Sequence, residues 1–288
     1  MTMLVLGSTG LLGQALMACA ASRGVRAVGA ARAGADHALD ATDASSIGGV
    51  VRAVAPDLVV NCVALTDLNE CERDPAAAWL VNARFAGLVA AAAPAARLVH
   101  VSTDHFYTGD GAAVHDEDAP VRLVNEYARS KYGAEGLALT HPDAVVVRTN
   151  VVGWRGWSGR PTFVEWAAGA IESGAAVSGF TDFHTSSIDA RSLASAILDV
   201  AALRFRGVLN LASREVSSKF DFLCRLAVAL GRGTGNIAAG SVRSLPVARA
   251  ESAGLDVARA ETLLGRRLPD LGEVVGNLIA QRTAACVS

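Results

Sequence analysis

The stretch Met3-Leu4-Val5-Leu6-Gly7-Ser8-Thr9-Gly10-Leu11-Leu12-Gly13 joins a short apolar run to a glycine turn and then to an apolar pattern that stays helical to about Ser22. This is a first strand, turn and helix. In such a unit Gly7 permits the sharp turn, Gly10 lets the backbone approach a pyrophosphate, and Gly13 lets helix and strand pack closely. The helix N-terminus favours the anion. The spacing is GxxGxxG, and in a chain with 28 Gly a tight turn that binds nothing has the same letters. What points to a dinucleotide is the position of the turn directly after the first strand. Thr9, Leu11 and Leu12 belong to the same expected cofactor cradle.

Outward from this unit, strands and helices alternate. A second strand covers Val25 to Ala30, a short third one ends near Asp40, and Thr42 or Asp43 caps a helix to about Ala53. Further strands are expected at Leu58 to Val63, Leu98 to Ser102, Ala144 to Arg148 and Gly207 to Leu211. Between them lie helices from Pro75 to Ala93 and from Asn125 to about Leu139. Short apolar strands alternating with helices call for a parallel sheet covered on both faces, and right-handed crossovers make it doubly wound. Past Gly153 the pattern becomes irregular, with helices expected near 161–173, 189–203, 219–230, 256–264 and 271–281, and a segment from Ala176 to Ile188. The fold class is therefore α/β, a Rossmann-type doubly wound parallel sheet with a smaller α/β substrate lobe. The expected division is 1–153 for the dinucleotide-binding domain, with about 182–210 returning to it, and 154–181 plus 211–288 for the substrate lobe.

At 288 residues and 51% apolar content the chain has ample material for a core. A formal charge of −2 without a basic stripe argues against nucleic acid as a partner. Cys19, Cys62, Cys71, Cys224 and Cys286 are odd in number and widely spaced, which suggests neither a disulfide framework nor a zinc site. A reducing compartment fits best. With no basic and cleavable apolar leader and no uncharged run of spanning length, the expectation is a soluble cytoplasmic protein without a membrane partner. Two Lys, Lys131 and Lys219, stand against 24 Arg, so each Lys that remains is informative.

Tyr127 and Lys131 are four apart on a helical segment and project from one face. Read without chemistry, they are a solvent-facing pair. Thr103 and Asp104 follow the strand Leu98 to Ser102, at the carboxyl edge where open α/β sheets place ligands; a turn or a helix cap has the same letters. Hydroxyl, phenol and ammonium together suit reduction of a carbonyl: one polarises it, one supplies the proton and one tunes the acid. Arg32, just after the second strand where no acidic residue stands, would accommodate a ribose 2′-phosphate, so NADP(H) is the expected preference, with NAD(H) the alternative.

These marks, together with Asn61-Cys62-Val63-Ala64, Cys71-Glu72, Asn82, Arg148-Thr149-Asn150 and the run Leu255-Asp256 leading to Leu263-Leu264-Gly265, resemble the dTDP-4-dehydrorhamnose reductase family of extended short-chain dehydrogenases over nearly the whole chain. The resemblance implies NAD(P)H-dependent reduction of the 4-keto group of a nucleotide-diphospho-6-deoxysugar. It makes Tyr127 the proton donor, gives Lys131 the nicotinamide ribose and a lowering of the tyrosine's pKa, and sets Thr103 on the reacting oxygen. Asp104 would touch substrate, as would Val151. Val63, Ala64 and Leu65 would line the nicotinamide side of the cofactor channel, and Asp40 and Ala41 would face the adenine. A turn carboxylate is the other reading of Asp40, and a side chain satisfied by backbone the other reading of Asn82.

Some features depart from the family pattern. Asn150-Val151 stands where rhamnose-forming members usually carry an aromatic after the Arg-Thr-Ser run, and Asn69 stands where Asp is usual. Ala15 stands where some bacterial members have a glutamate that helps bind Mg²⁺ between subunits, so no metal is expected. Trp154, Trp157, Phe163 and Trp166, with Phe180, Phe183 and His184, read first as core packing and second as a rebuilt sugar platform. Arg155, Arg160, Arg191, Arg243 and Arg249 are candidates for the substrate diphosphate, and Arg249 is favoured because it precedes the Leu255-Asp256 run. Two other activities use the same scaffold, sugar-nucleotide epimerisation and reduction of another carbonyl. A reading of a different class is an NADP-binding regulatory subunit resembling the β subunit of methionine adenosyltransferase. A homodimer is among the expected partners.

Overall fold

The fold follows from a computed structural model that describes residues 1–157, 159–203 and 205–287, with side chains described as far as residue 283. Cys286 lies outside the described side chains. In chain order the first half runs β1 (Thr2–Leu6), α1 (Leu11–Ser22), β2 (Arg26–Ala31), β3 (His37–Ala38), α2 (Ala44–Val54), β4 (Leu58–Asn61), α3 (Leu68–Arg73), α4 (Pro75–Ala78), a π-helical turn (Trp79–Arg84), α5 (Phe85–Ala92), β5 (Arg97–Val101), β6 (Val114–His115), α6 (Glu126–Ala138) and β7 (Ala144–Arg148). The second half adds β8 (Asn150–Val152), α7 (Phe163–Ser173), β9 (Val177–Phe180), β10 (His184–Thr185), β11 (Ser187–Asp189), α8 (Ala190–Ala202), β12 (Gly207–Asn210), β13 (Ser217–Ser218), α9 (Lys219–Ala229), β14 (Ile237–Gly240), β15 (Ser252–Leu255), α10 (Ala258–Leu264) and α11 (Leu271–Val287).

Seven strands form the main sheet in the order β12-β7-β5-β4-β1-β2-β3, every neighbouring pair parallel. Successive residues of β1 face opposite sides. Met3 and Val5 join one apolar cluster with Leu12 and Leu16 of α1 and Leu193 and Ile197 of α8. Leu4 and Leu6 join the other, with Ile47 and Val50 of α2 and Phe85 and Val89 of α5. This is a Rossmann-type doubly wound parallel sheet. The strand order reverses between β4 and β1, so a crevice opens at their carboxyl ends.

The smaller lobe packs α7, α9 and α11 around Val164, Phe222, Leu226 and Val274, with β9 and β14 paired beside them. Between the two parts lies a mixed sheet, β13-β10-β15-β6, in which β6 comes from the first half of the chain and the other strands from the second. From the end of β15 the chain turns back: Leu255, Val257, Ala260 and Leu268 pack in the main-sheet cluster.

Local chemistry explains the boundaries. Asp43 caps α2 by accepting from the Ser45 amide, and Asn125 caps α6 by accepting from the Ala128 amide at 2.8 Å. Thr162 and Glu165 close a capping box at the start of α7. Two expectations are corrected, and one open segment is resolved. The strand at Leu58 ends at Asn61, because the Asn61 side chain accepts from the Val63 amide at 3.1 Å and turns the chain. The helix from Pro75 is interrupted by the π-helical turn, and the segment 176–188 divides into three short strands. Pro75–Ala92 is also the one described segment long and apolar enough by composition to cross a membrane; here it packs on α6 and α2.

Candidate active site

On the cofactor side the chain presents backbone. Gly7 has φ +79°, and its amide donates to the Ala30 carbonyl at 2.8 Å, tying the turn to β2. A Cβ on Gly13 would lie 2.2 Å from the Gly7 carbonyl oxygen and 2.6 Å from Ser8 Cα, so only glycine lets α1 approach the turn. A Cβ on Gly10 would sit 3.2 Å from the Gly7 oxygen. No side chain caps α1 at Gly10 and no acidic residue occupies its first turn, which leaves the N-terminal amides facing the crevice for an anion. These features fit a dinucleotide diphosphate. Thr9, Leu11 and Leu12 sit in the same turn, with Gln14 Nε2 donating to the Thr9 carbonyl at 3.0 Å.

Arg32 is exposed just past β2, and its charge acts on Asp40. Asp40 accepts from the amide and hydroxyl of Thr42 at 2.8 and 2.7 Å, which hold its carboxyl below the usual range. It is a turn carboxylate. Ala41, beside it, packs against the α2 face of the sheet. After β4, the Asn82 side chain accepts from the Leu65 amide at 2.7 Å and donates to the Leu65 carbonyl at 3.1 Å and the Ser130 hydroxyl at 2.9 Å. The π-helical turn carries Asn82 and pins the Val63-Ala64-Leu65 segment against α6. Asn82 is thus satisfied by backbone and one neighbouring hydroxyl.

Tyr127 and Lys131 lie on α6, and both are buried. Lys131 Nζ donates to the Val101 carbonyl at 2.7 Å, and burial pushes its pKa down to about 8. The expected lowering of the tyrosine by Lys131 is not what this geometry produces. Burial raises the Tyr127 phenol well above its ordinary value, a hydrogen bond with Thr103 draws it down, and Asp104 and Cys71 raise it further. Lys131 is directed at the carbonyl at the end of β5.

Thr103, Asp104 and His105 follow β5 and are buried around Tyr127. The Thr103 hydroxyl accepts from the His105 amide at 3.3 Å and donates to Asp104 Oδ1 at 3.4 Å. Burial pushes Asp104 up to about 7, against the pull of Lys219 and of the Asn150 amide, which donates to Oδ2 at 2.8 Å. The His105 ring meets Tyr127 and Phe183 edge-on, centroids 5.6 and 5.9 Å apart, and burial pushes it down to about 3, so it is neutral. Among the described residues its Nδ1 has no hydrogen-bond partner, nor has Nε of half-buried Arg249. The Arg249 loop is held by Asn125, whose Nδ2 donates to the Ala248 carbonyl at 2.9 Å.

Arg148, in contrast, is structural. It meets Glu135 in a buried pair at 2.8 Å and donates to the Tyr107 hydroxyl, while Ser102 donates to Glu135 at 2.6 Å, so β7, α6 and the end of β5 are locked together. Val151 is half-buried on β8 beside Asn150, paired with Ile188. The tryptophans do not gather into a platform: Trp154 joins the lobe core, Trp157 lies under the Arg155 guanidinium at 4.2 Å, and Trp166 leans on Phe163. Among the other arginines, Arg243 pairs with Glu251 and Arg160 with Asp67, and Arg191 is exposed. His105 and Lys219 escaped the sequence reading, although the scarcity of Lys marked Lys219 as informative.

Residues 1–284 match the family described as RmlD substrate binding domain. The chain belongs to the dTDP-4-dehydrorhamnose reductase family. Within that family, a dTDP-4-dehydrorhamnose reductase of Mycobacterium tuberculosis is 34% identical over 76% of this chain and 72% of its own. A probable low-salt glycan biosynthesis reductase, Agl14, of Haloferax volcanii is 29% identical over 96% of each chain. The dTDP-4-dehydrorhamnose reductase of Bacillus anthracis, solved in complex with NADP, superposes with a TM-score of 0.87 at 22% identity, over 97% of this chain and 99% of that one. UDP-glucose 4-epimerase of Thermotoga maritima superposes with a TM-score of 0.84 at 17% identity, so the fold alone does not separate the family's reductases from epimerases.

Proposed function

We propose that this protein reduces the 4-keto group of a nucleotide-diphospho-6-deoxysugar, with NADPH as the preferred cofactor and NADH as the alternative. The observation that carries the reading is the buried Tyr127 and Thr103 hydroxyl pair at the carboxyl end of the sheet, on the same crevice as the glycine turn. The names of the relatives in the family support the substrate class.

The dinucleotide, when bound, supplies the hydride. Gly7, Gly10, Gly13 and the α1 amides hold its diphosphate, Arg32 its 2′-phosphate and Lys131 the nicotinamide ribose; Val63, Ala64 and Leu65 line the channel. Thr103 donates a hydrogen bond to the reacting oxygen, and Tyr127 gives that oxygen its proton. A buried phenol of raised pKa holds its proton firmly until negative charge develops beside it. Asp104 and Val151 contact the sugar, and Arg249 takes the substrate diphosphate. The lobe formed by 154–181 and 211–288, apart from the returning segment around 255–268, supplies the substrate side. We place the enzyme in the cytoplasm as a soluble protein without a membrane or nucleic-acid partner. It assembles as a homodimer, for which exposed Trp79, Leu80 and Leu137 offer an apolar face.

The test is to offer the purified chain a panel of dTDP-, UDP-, GDP- and CDP-linked 4-keto sugars and follow NADPH absorbance. Stoichiometric oxidation with a new hydroxyl at C4 is expected. Sugar interconversion without net cofactor consumption would make it an epimerase, and NADPH binding with no turnover of any member would favour the regulatory reading.

A further inference from the structure

Lys219, the second of the two lysines, begins α9 and is nine-tenths buried. Among the described residues no carboxylate lies within ion-pair distance of it. Its Nζ donates to Ser187 Oγ at 3.0 Å and Asn150 Oδ1 at 3.3 Å, and it stands 5.1, 5.7 and 5.9 Å from the ring centres of Phe163, Phe183 and Phe222. A buried ammonium held only by neutral partners is costly unless its charge is balanced nearby. The balancing group is Asp104, one side chain away. The Asn150 amide bridges them, its oxygen towards the ammonium and its nitrogen donating to Asp104 Oδ2 at 2.8 Å. The other Asp104 oxygen faces the Thr103 hydroxyl at 3.4 Å.

We propose that Lys219 is a positioning residue for the reduction: acting through Asn150, it sets the charge of Asp104 and thereby the direction of the hydrogen bond between Asp104 and Thr103. The inference rests on the reductase reading of the same site. An ionised carboxylate only accepts, so it draws the Thr103 proton to itself and away from the reacting oxygen. A protonated Asp104 keeps the Asn150 bond on Oδ2, donates from Oδ1 to Thr103, and frees the Thr103 hydrogen for that oxygen. The proton on Asp104 comes from solvent and is not consumed in turnover. Burial raises Asp104 and the Lys219 charge lowers it, to about 7, while burial pulls Lys219 itself down to about 8, so the pair exchanges protons near neutral pH. The other groups facing this chain are the Tyr127 phenol from α6, which Asp104 raises, and His105, neutral, beyond which stands Arg249. On the lobe side Ser187 of β11 and the three phenylalanines carry no charge.

The test titrates the Asp104 carboxyl directly, by infrared difference spectroscopy of its protonated carbonyl stretch with Asp104→Asn as the blank, in wild type, Lys219→Met, Lys219→Gln and Lys219→Arg. No substrate is needed. Removing the cation should raise the midpoint by about one pH unit or more, and Lys219→Arg should restore it. With an accepted keto sugar nucleotide, the high-pH limb of kcat should move up with that midpoint in Lys219→Met and vanish in Asp104→Asn, whose amide donates to Thr103 at every pH. Circular dichroism reports folding, and Lys219→Gln replaces Lys219→Met if the latter fails to fold. An unchanged Asp104 midpoint in folded Lys219→Met or Lys219→Gln overturns the proposal, as does a shifted midpoint with a stationary kcat limb. If the midpoint shifts but no keto sugar is turned over by wild type, the reductase reading fails and the role in reduction falls with it, while the Lys219 to Asp104 coupling stands.

Discussion

The crevice at the end of the sheet has two walls built in opposite ways. The cofactor wall is backbone: a turn whose glycines are demanded by φ +79° at Gly7 and by a 2.2 Å approach at Gly13, all within seven consecutive residues. The substrate wall is side chain, assembled from Thr103, Asp104 and His105 after β5, Tyr127 on α6, Asn150 on β8, Ser187 on β11 and Lys219 on α9. A backbone cradle tolerates no added atom and carries no titratable group. A wall of buried polar side chains stays folded through many substitutions but responds to each in charge and proton position. The cofactor side should therefore fail sterically and the substrate side chemically.

Gly13→Val gives the largest contrast. Its side chain would drive into the Gly7 carbonyl and Ser8 Cα, backbone that cannot step aside, so a loss of about 3 kcal/mol or more in urea unfolding is expected together with loss of NADPH binding. A folded Gly13→Val that titrates NADPH normally would show that the cradle has slack.

Glu135→Ala tests the frame behind the substrate wall. It leaves Arg148 buried without its carboxylate and should cost about 3 kcal/mol, read from the same denaturation curves. Stability within about 0.5 kcal/mol of wild type would mean that Tyr107 and the Glu117 carbonyl suffice for the guanidinium.

Tyr127→Phe should do the converse, leaving fold and NADPH affinity nearly intact while kcat falls by about 10²-fold or more, because the ring stays and only the proton is removed. Near-wild-type kcat in the folded variant would remove Tyr127 from the chemistry.

Arg32→Ala is the smallest. Exposed and outside the glycine turn, Arg32 should contribute about fivefold to NADPH affinity, with NADH unchanged, since a charge-assisted bond to a solvated phosphate is worth about 1 kcal/mol. Equal losses for both dinucleotides would assign Arg32 a structural role at Asp40 instead.

How much of each wall was legible follows from the same difference. The sequence by itself determined the doubly wound sheet, because strand and helix periods and the glycine turn are local patterns. It determined the Tyr127 and Lys131 pair as well, since one helical turn places both on one face. It also located Thr103 and Asp104, because strand ends lie at the sheet's carboxyl edge. Only the tertiary structure decided that Arg148 belongs to the frame, that Lys131 is buried against the Val101 carbonyl, that the tryptophans stand apart, and that Lys219 stands behind Asp104. Lys219 and Asp104 are 115 positions apart, joined by an amide from a third element. Charge balance in a buried site depends on distance and solvent exclusion, which appear when remote elements pack and leave no periodic trace in any one of them.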